Sequence, residues 1–303
     1  MDVKGGTVVN FCLDGHTLSG AGLAKNRVFL IAGASNLTLT SCKEGAKIDN
    51  ASKYEGGLIK VNDASSCLNI YGGITIDGSA HTGTSTSTYG AAIHSKGTFN
   101  LYNATIIGSA KTDNATAGGT VTVAKDSVMN MYGGTIKDGI SKTNTGNMYL
   151  SGTLNMMGGT ITGGGYYENS ATNYEHRAAN IHVSALGVLN MTGGIIDGHV
   201  YAGTSGATVK LSGDAKILDS TRSLWVVPGN TNVLIGDLSD KAEIHVNVFT
   251  SGNATVYGVI ASAQDGYTIT EQDASRILAK DTSGAKKGNI VLNSDNTISV
   301  VKE

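Results

Sequence analysis

Proline occurs once in 303 residues, at Pro228. Proline cannot donate to a strand ladder, so its near absence leaves almost the whole chain free to pair as strand. Charge is also scarce, with 22 basic residues against 24 acidic ones and a net of -2. That balance excludes the basic field that nucleic acid binding requires. No run approaches the roughly 18 apolar residues of a membrane span, so no membrane insertion is expected. The opening MDVKGG lacks the apolar core of a secretory signal. With a surface-type composition, an excised mature region beginning with an added Met is preferred over an intracellular protein. Cys12, Cys42 and Cys67 are too few and too scattered for a zinc site, and the histidines show no HxH or HExxH spacing. Neither a metal nor any other cofactor is expected.

Glycine is abundant instead, at 42 residues, about twice the usual usage. It punctuates a repeat: LTLTSCKEGAK from Leu37, LNIYGGITIDG from Leu68, FNLYNATIIGS from Phe99, MNMYGGTIKDG from Met129, LNMMGGTITGG from Leu154, LNMTGGIIDGH from Leu189 and VKLSGDAKILD from Val209, with a weaker VNFCLDGHTLS from Val9. Start-to-start spacings of 28, 31, 31, 30, 25, 35 and 20 drift within the range of repeat arrays. A coil of strands and turns tolerates such drift at its corners, whereas a propeller blade or helical repeat does not.

Each unit reads as a short strand, a turn, a second strand, a Gly-Gly break, a third strand and a variable loop. Period-two alternation turns one set of side chains inward. The expected core is Leu68, Ile70, Leu101, Met131, Ile136, Leu154, Met156, Ile161, Leu189, Met191 and Ile196. Between these runs a column, Asn69, Asn100, Asn130, Asn155 and Asn190, whose amides are able to hydrogen-bond from rung to rung. Stacked about 4.8 Å apart, equivalent strands make an all-β, single-stranded right-handed parallel β-helix of about ten coils over 1–255. The repeat itself thus reads as scaffold. Cys12 and Cys42 fall at nearly equivalent offsets of successive coils, close enough either for a disulfide or for plain burial as small apolar groups.

From about Val256 the texture changes. Thr270 followed by Asp273 marks a helix N-cap, and Asn289 to Val301 a hairpin turning at Asn293 to Asn296. Residues 256–303 are therefore expected to form a small helix-plus-hairpin cap over the open end of the solenoid.

The segment VNFCLDGHTLSG, the LTLTSC that follows it and the LN-aliphatic-x-GGTI units together resemble the pectin-lyase-like β-helix regions of large cell-surface proteins from Gram-positive gut bacteria. The tail GYTITEQDASRILAKD with IVLNSDNTISVV looks like the segment that closes those regions. The resemblance implies an extracellular module, cell-surface attached or secreted and adhesive in role; a monomer is expected. The same fold serves polysaccharide lyases and glycosidases, so fold alone does not decide activity.

Two features carry functional expectation. The outward position of the first strand runs Phe29, Lys60, His94, Thr122, Tyr149, His182, Tyr201, Trp225 and His245. Six of the nine are His, Tyr or Trp in a chain only 6% aromatic. Such a stripe offers flat apolar faces with polar edges, suited to sugar rings, although rings also fill solvent-facing strand positions through β-propensity. Insertions also collect at one corner, in Ser79 to Gly90, Ser109 to Gly119, Ile140 to Gly146 and Gly163 to Ala179; the last carries Tyr166, Tyr167, Tyr174, Glu175 and His176. The leading expectation is a non-catalytic module binding a glycan or a host surface protein along the stripe and loops. An alternative is a polysaccharide-cleaving enzyme using Asp77, Asp138 or Glu175, with Asp77 and Asp138 two coils apart; a second is a structural spacer. Only four arginines argue against a lyase for acidic polysaccharide.

Overall fold

Each copy of the repeat supplies the second and third strands of a three-strand coil, and successive coils stack through parallel pairing. A computed structural model describes residues 1–20, 27–49, 57–80, 92–108, 118–141, 145–166, 180–218, 223–226, 232–247, 257–280 and 285–302. In the coil around Leu154 the strands are Met148–Leu150, Thr153–Met156 and Thr160–Thr162. Their counterparts in neighbouring coils extend three parallel ladders along the molecule. The chain is thus all-β, with long parallel sheets of solenoid type.

The second ladder keeps strict register. Leu68 pairs with Phe99, Phe99 with Met129, Met129 with Leu154 and Leu154 with Leu189. Identical inward positions therefore sit directly over one another, and the whole expected core is 1% exposed or less. Burial of this order is the main favourable term in folding. The Gly-Gly break follows from the stacking. A Cβ on Gly158 would lie 2.5 Å from the Tyr132 carbonyl of the coil below, and Gly159 has φ +83, which glycine alone adopts without cost. The first glycine allows close approach and the second makes the corner.

The asparagine column forms a continuous ladder. Asn190 donates to Asn155, Asn155 to Asn130, Asn130 to Asn100 and Asn100 to Asn69, each at 2.8 Å, and Asn69 donates to Asn36 at 2.9 Å. Each interior amide gives one bond downward and receives one from above. A second polar ladder, not anticipated from the sequence, runs down the corner before the first strand. There Thr120 donates to Asn147 Oδ1 at 2.9 Å and Asn147 donates to Asn180 Oδ1 at 2.8 Å. The same oxygens accept the backbone N–H groups of Gly139 and Gly164 at 2.9 Å, fixing where the inserted loops leave the coil.

Toward the C-terminus the ladders continue rather than stop. Glu243–Asn247 pairs with Ile277–Lys280, and Asn232–Leu238 with Gly258–Ala263, both in parallel. The hairpin Asn289–Leu292 with Thr297–Val301 then adds antiparallel strands to the second ladder. A short helix, Glu271–Ser275, has Thr270 as N-cap in a capping box with Asp273. The buried Asp273 carboxylate also accepts from the backbone N–H of Leu238 and from the Tyr267 hydroxyl, at 2.9 and 2.8 Å. One carboxylate thereby ties the helix to the sheet.

Candidate functional site

The outward file of the first ladder is largely as the alternation places it. Lys60, His94, Thr122, Tyr149, His182, Tyr201 and Trp225 pair in unbroken register. Ring centroids lie 5.2 Å apart for Tyr149–His182, 5.0 Å for His182–Tyr201 and 5.2 Å for Tyr201–Trp225. His199 joins from the adjacent corner, 6.1 Å from Trp225.

Three parts of the expected stripe are corrected. Phe29 points into the core at 0% exposure, and Leu30 pairs with Lys60 in its place. The segment VFLIA is apolar throughout, so alternation could not set its parity. His245 also leaves the file, because Asn247 pairs with Trp225. The strand Glu243–Asn247 runs unbroken from the third ladder, where Glu243 pairs with Lys216, into the first, and this moves His245 to the corner. Its Nε2 lies 2.7 Å from Glu243 Oε1, and Lys280 Nζ lies 2.9 Å from its Nδ1. An ammonium only donates, so Nδ1 accepts and Nε2–H faces the carboxylate. The third correction concerns exposure: His94, Tyr201 and Trp225 are 3%, 4% and 3% exposed. Only Tyr149 and His182 among the rings are partly open.

The loop candidates divide differently. The backbone of Gly165–Tyr166 pairs with Ile140–Ser141, stacking the start of one insertion on another. Tyr167, Tyr174, Glu175 and His176 lie outside the described residues.

Asp77 and Asp138 do not share a column. The column of the third ladder runs Asp49, Asp77, Ile107, Lys137, Thr162 and Asp197. Asp138 is one residue past it, in a left-handed turn at φ 59, so Lys137 occupies the place expected for a partner of Asp77. Lys47 Nζ sits 2.8 Å from Asp77 and 3.5 Å from Asp49. Burial pushes the Asp77 carboxyl upward, but hydrogen bonds from Lys47 and Ser79 outweigh it and hold the group below the usual carboxylate range. A general acid requires the reverse. Among the described residues no cluster of His, Cys, Asp or Glu is arranged to hold a metal ion, and no helix is long and apolar enough to cross a membrane.

A different ring file is open. Tyr71, Tyr102 and Tyr132 stand at the corner after the second strand of three successive coils. Their rings stack with centroids 4.3 and 4.8 Å apart and planes within 7°. Tyr71 and Tyr132 are 41% and 45% exposed, and Met157, on the next coil, is 40% exposed. The Tyr102 phenol is pushed up first by its hydrogen bond with Tyr71 and then by burial. The signal was present in the repeat: the residue before each Gly-Gly or its equivalent reads Tyr, Tyr, Tyr, Met in LNIY, FNLY, MNMY and LNMM. Comparison with family models, with curated proteins and with solved structures returned no match.

Proposed function

We propose that this chain is a non-catalytic recognition module of an extracellular bacterial protein, secreted or attached to the cell surface, which binds a glycan or a surface protein. In this reading the parallel ladders are a right-handed β-helix of pectin-lyase-like kind, about ten coils, which runs past residue 255 into Gly258–Ala263 and Ile277–Lys280 and is closed by the helix and hairpin of 256–303, acting as a monomer. The observation that carries the reading is the file Tyr71, Tyr102, Tyr132 and Met157 on four consecutive coils, exposed at Tyr71, Tyr132 and Met157 and half-buried at the central Tyr102. Contiguous exposed apolar side chains on a soluble body mark interaction surfaces. Tyrosine edges add a row of hydroxyls at the coil spacing, matched to a repeating polymer or an extended chain. The half-open pair Tyr149 and His182 on the first ladder offers a second ring edge. The tethered state of Asp77 and the displacement of Asp138 from its column favour binding over cleavage.

The test is a glycan and protein array probed with wild type, Tyr71→Ala and Tyr132→Ala. Because both rings are exposed, each substitution leaves folding intact and weakens binding about tenfold, the effect of losing one ring contact of roughly 1.4 kcal/mol. Binding that is indifferent to both substitutions would remove this surface. No binding to any glycan or protein would leave the spacer reading.

A further inference from the structure

The thiols of Cys12 and Cys42 face each other across two coils. Cys12 ends the strand Val8–Cys12, and Cys42 lies just past Asn36–Thr40, whose Thr40 pairs with Cys12. Their sulfurs are 3.5 Å apart, and both residues are exposed. Cys67 is set apart chemically: it is partly buried and hydrogen-bonded to the asparagine ladder through Asn69 and Asn100, at 3.7 and 3.6 Å. Beside the facing pair, Asp14 Oδ1 accepts from the Cys42 thiol at 3.5 Å while Lys43 Nζ holds its Oδ2 at 2.9 Å.

We propose that Cys12 and Cys42 form a thiol–disulfide exchange site whose substrate is a low-molecular-weight disulfide and whose closure fastens the first coil to the second. A disulfide needs sulfurs at about 2.05 Å, so closure requires a shift of roughly 1.5 Å. Two exposed side chains make such a shift by rotation about their own bonds, without moving the paired strands. Hydrogen bonds from the Cys42 backbone and thiol and from the Asp14 backbone hold the Cys12 thiol below the usual range, whereas the facing Cys12 and Asp14 push Cys42 up. Cys12 is then the attacking sulfur and Cys42 the resolving one.

The chemistry balances in two exchanges. The Cys12 thiolate attacks one sulfur of the small disulfide, forming a mixed disulfide and expelling one thiolate. The Cys42 thiolate then attacks the Cys12 sulfur, forming the Cys12–Cys42 bond and expelling the second thiolate. The two protein sulfurs are oxidised, the small disulfide is reduced to two thiols, and the protons lost by the cysteines end on those thiols.

Closure has something to hold. In the strand Val8–Cys12 the inward Val9 and Phe11 are only partly buried, whereas Leu37 and Leu39 on the next coil are 0% exposed. Apart from strand pairing, the turn after Cys12 is held by a small set of bonds, such as Leu13 N–H to the Thr40 carbonyl at 2.9 Å. A covalent link beside them restrains a coil whose inward side chains are only partly covered.

The experiment treats the reduced, folded protein with oxidised glutathione and reads intact mass, thiol alkylation and peptide maps. The expected product has lost two hydrogens, carries a Cys12–Cys42 link and retains one alkylatable thiol, at Cys67. Cys67→Ser closes equally well, while Cys12→Ser and Cys42→Ser each stop at a stable glutathione adduct on the remaining partner. Amide exchange at Leu13 and His16 slows at least tenfold on closure. Separate glutathione adducts on both cysteines of the wild type, a link that includes Cys67, or unchanged amide exchange after closure would each overturn the proposal.

Discussion

Replacing Asn130 by Ala removes the middle of the asparagine ladder, and the cost follows from the bonds lost. Asn130 donates to Asn100 and accepts from Asn155, both at 2.8 Å. A side-chain hydrogen bond contributes about 1 kcal/mol net, so losing two costs about 2 kcal/mol, a factor of roughly 30 in the folding equilibrium. Asn190 provides the internal standard, since it donates to Asn155 while its own Oδ1 has no partner. Asn190→Ala therefore loses one bond and costs about 1 kcal/mol. Asn130→Asp sharpens the contrast: the introduced carboxylate still accepts from Asn155 but faces the Asn100 oxygen with no proton to give. Its pKa is raised on folding, so the stability it withholds at neutral pH returns as pH falls through that raised value toward the unfolded value near 3.9, about the usual Asp value. Urea unfolding followed by far-UV circular dichroism measures all three. Equal costs for Asn130→Ala and Asn190→Ala, or an interior cost below about 0.5 kcal/mol, would refute the ladder as a source of stability.

Further outcomes test other parts of the molecule. Leu154→Ala empties a fully buried position stacked between Met129 and Leu189 and is expected to cost about 2–5 kcal/mol by the same unfolding measurement. Gly159→Ala forces a left-handed φ of +83 and sets a Cβ 2.6 Å from Met131 Cε, whereas Gly266→Ala, at φ +76 with open space around it, bears only the backbone strain of about 1–2 kcal/mol; the first must prove clearly the worse of the two. The Tyr267 phenol, pushed up to about 12 by burial and then by its bond to Asp273, contributes stability that is complete below the unfolded value near pH 10, about the ordinary tyrosine value. That contribution disappears as pH rises through about 12. Spectrophotometric titration of wild type against Tyr267→Phe reads this ionisation, and Asp273→Asn moves it toward the ordinary value.

The alternation of apolar and polar residues made most of the scaffold legible before the structure, because a side-chain period of two leaves little choice once a strand has a polar face. Leu154, Asn155 and Met156 show this: inside, ladder and inside again. Where that contrast failed, so did the reading. VFLIA has no polar residue to set its parity, and Phe29 went to the core. Glu243–Asn247 bridges two ladders without a loop, which a repeat template cannot anticipate. Burial of Tyr201 and Trp225 depends on what surrounds the coil rather than on the strand itself. The exposed tyrosines were hidden for the opposite reason: Tyr71, Tyr102 and Tyr132 lie inside the repeat, where recurrence reads as scaffold, and only the corner geometry turns them outward.

The most direct test of a binding surface without turnover is co-sedimentation of the protein with a panel of insoluble polysaccharides and surface-protein preparations, followed by analysis of the recovered ligand. The expected result is retention on at least one ligand, loss of retention in a combined Tyr71→Ala, Tyr132→Ala variant that unfolds at the same urea concentration as wild type, and ligand recovered at its original length. Shortened or unsaturated polysaccharide products, or retention undiminished in the variant, would contradict it.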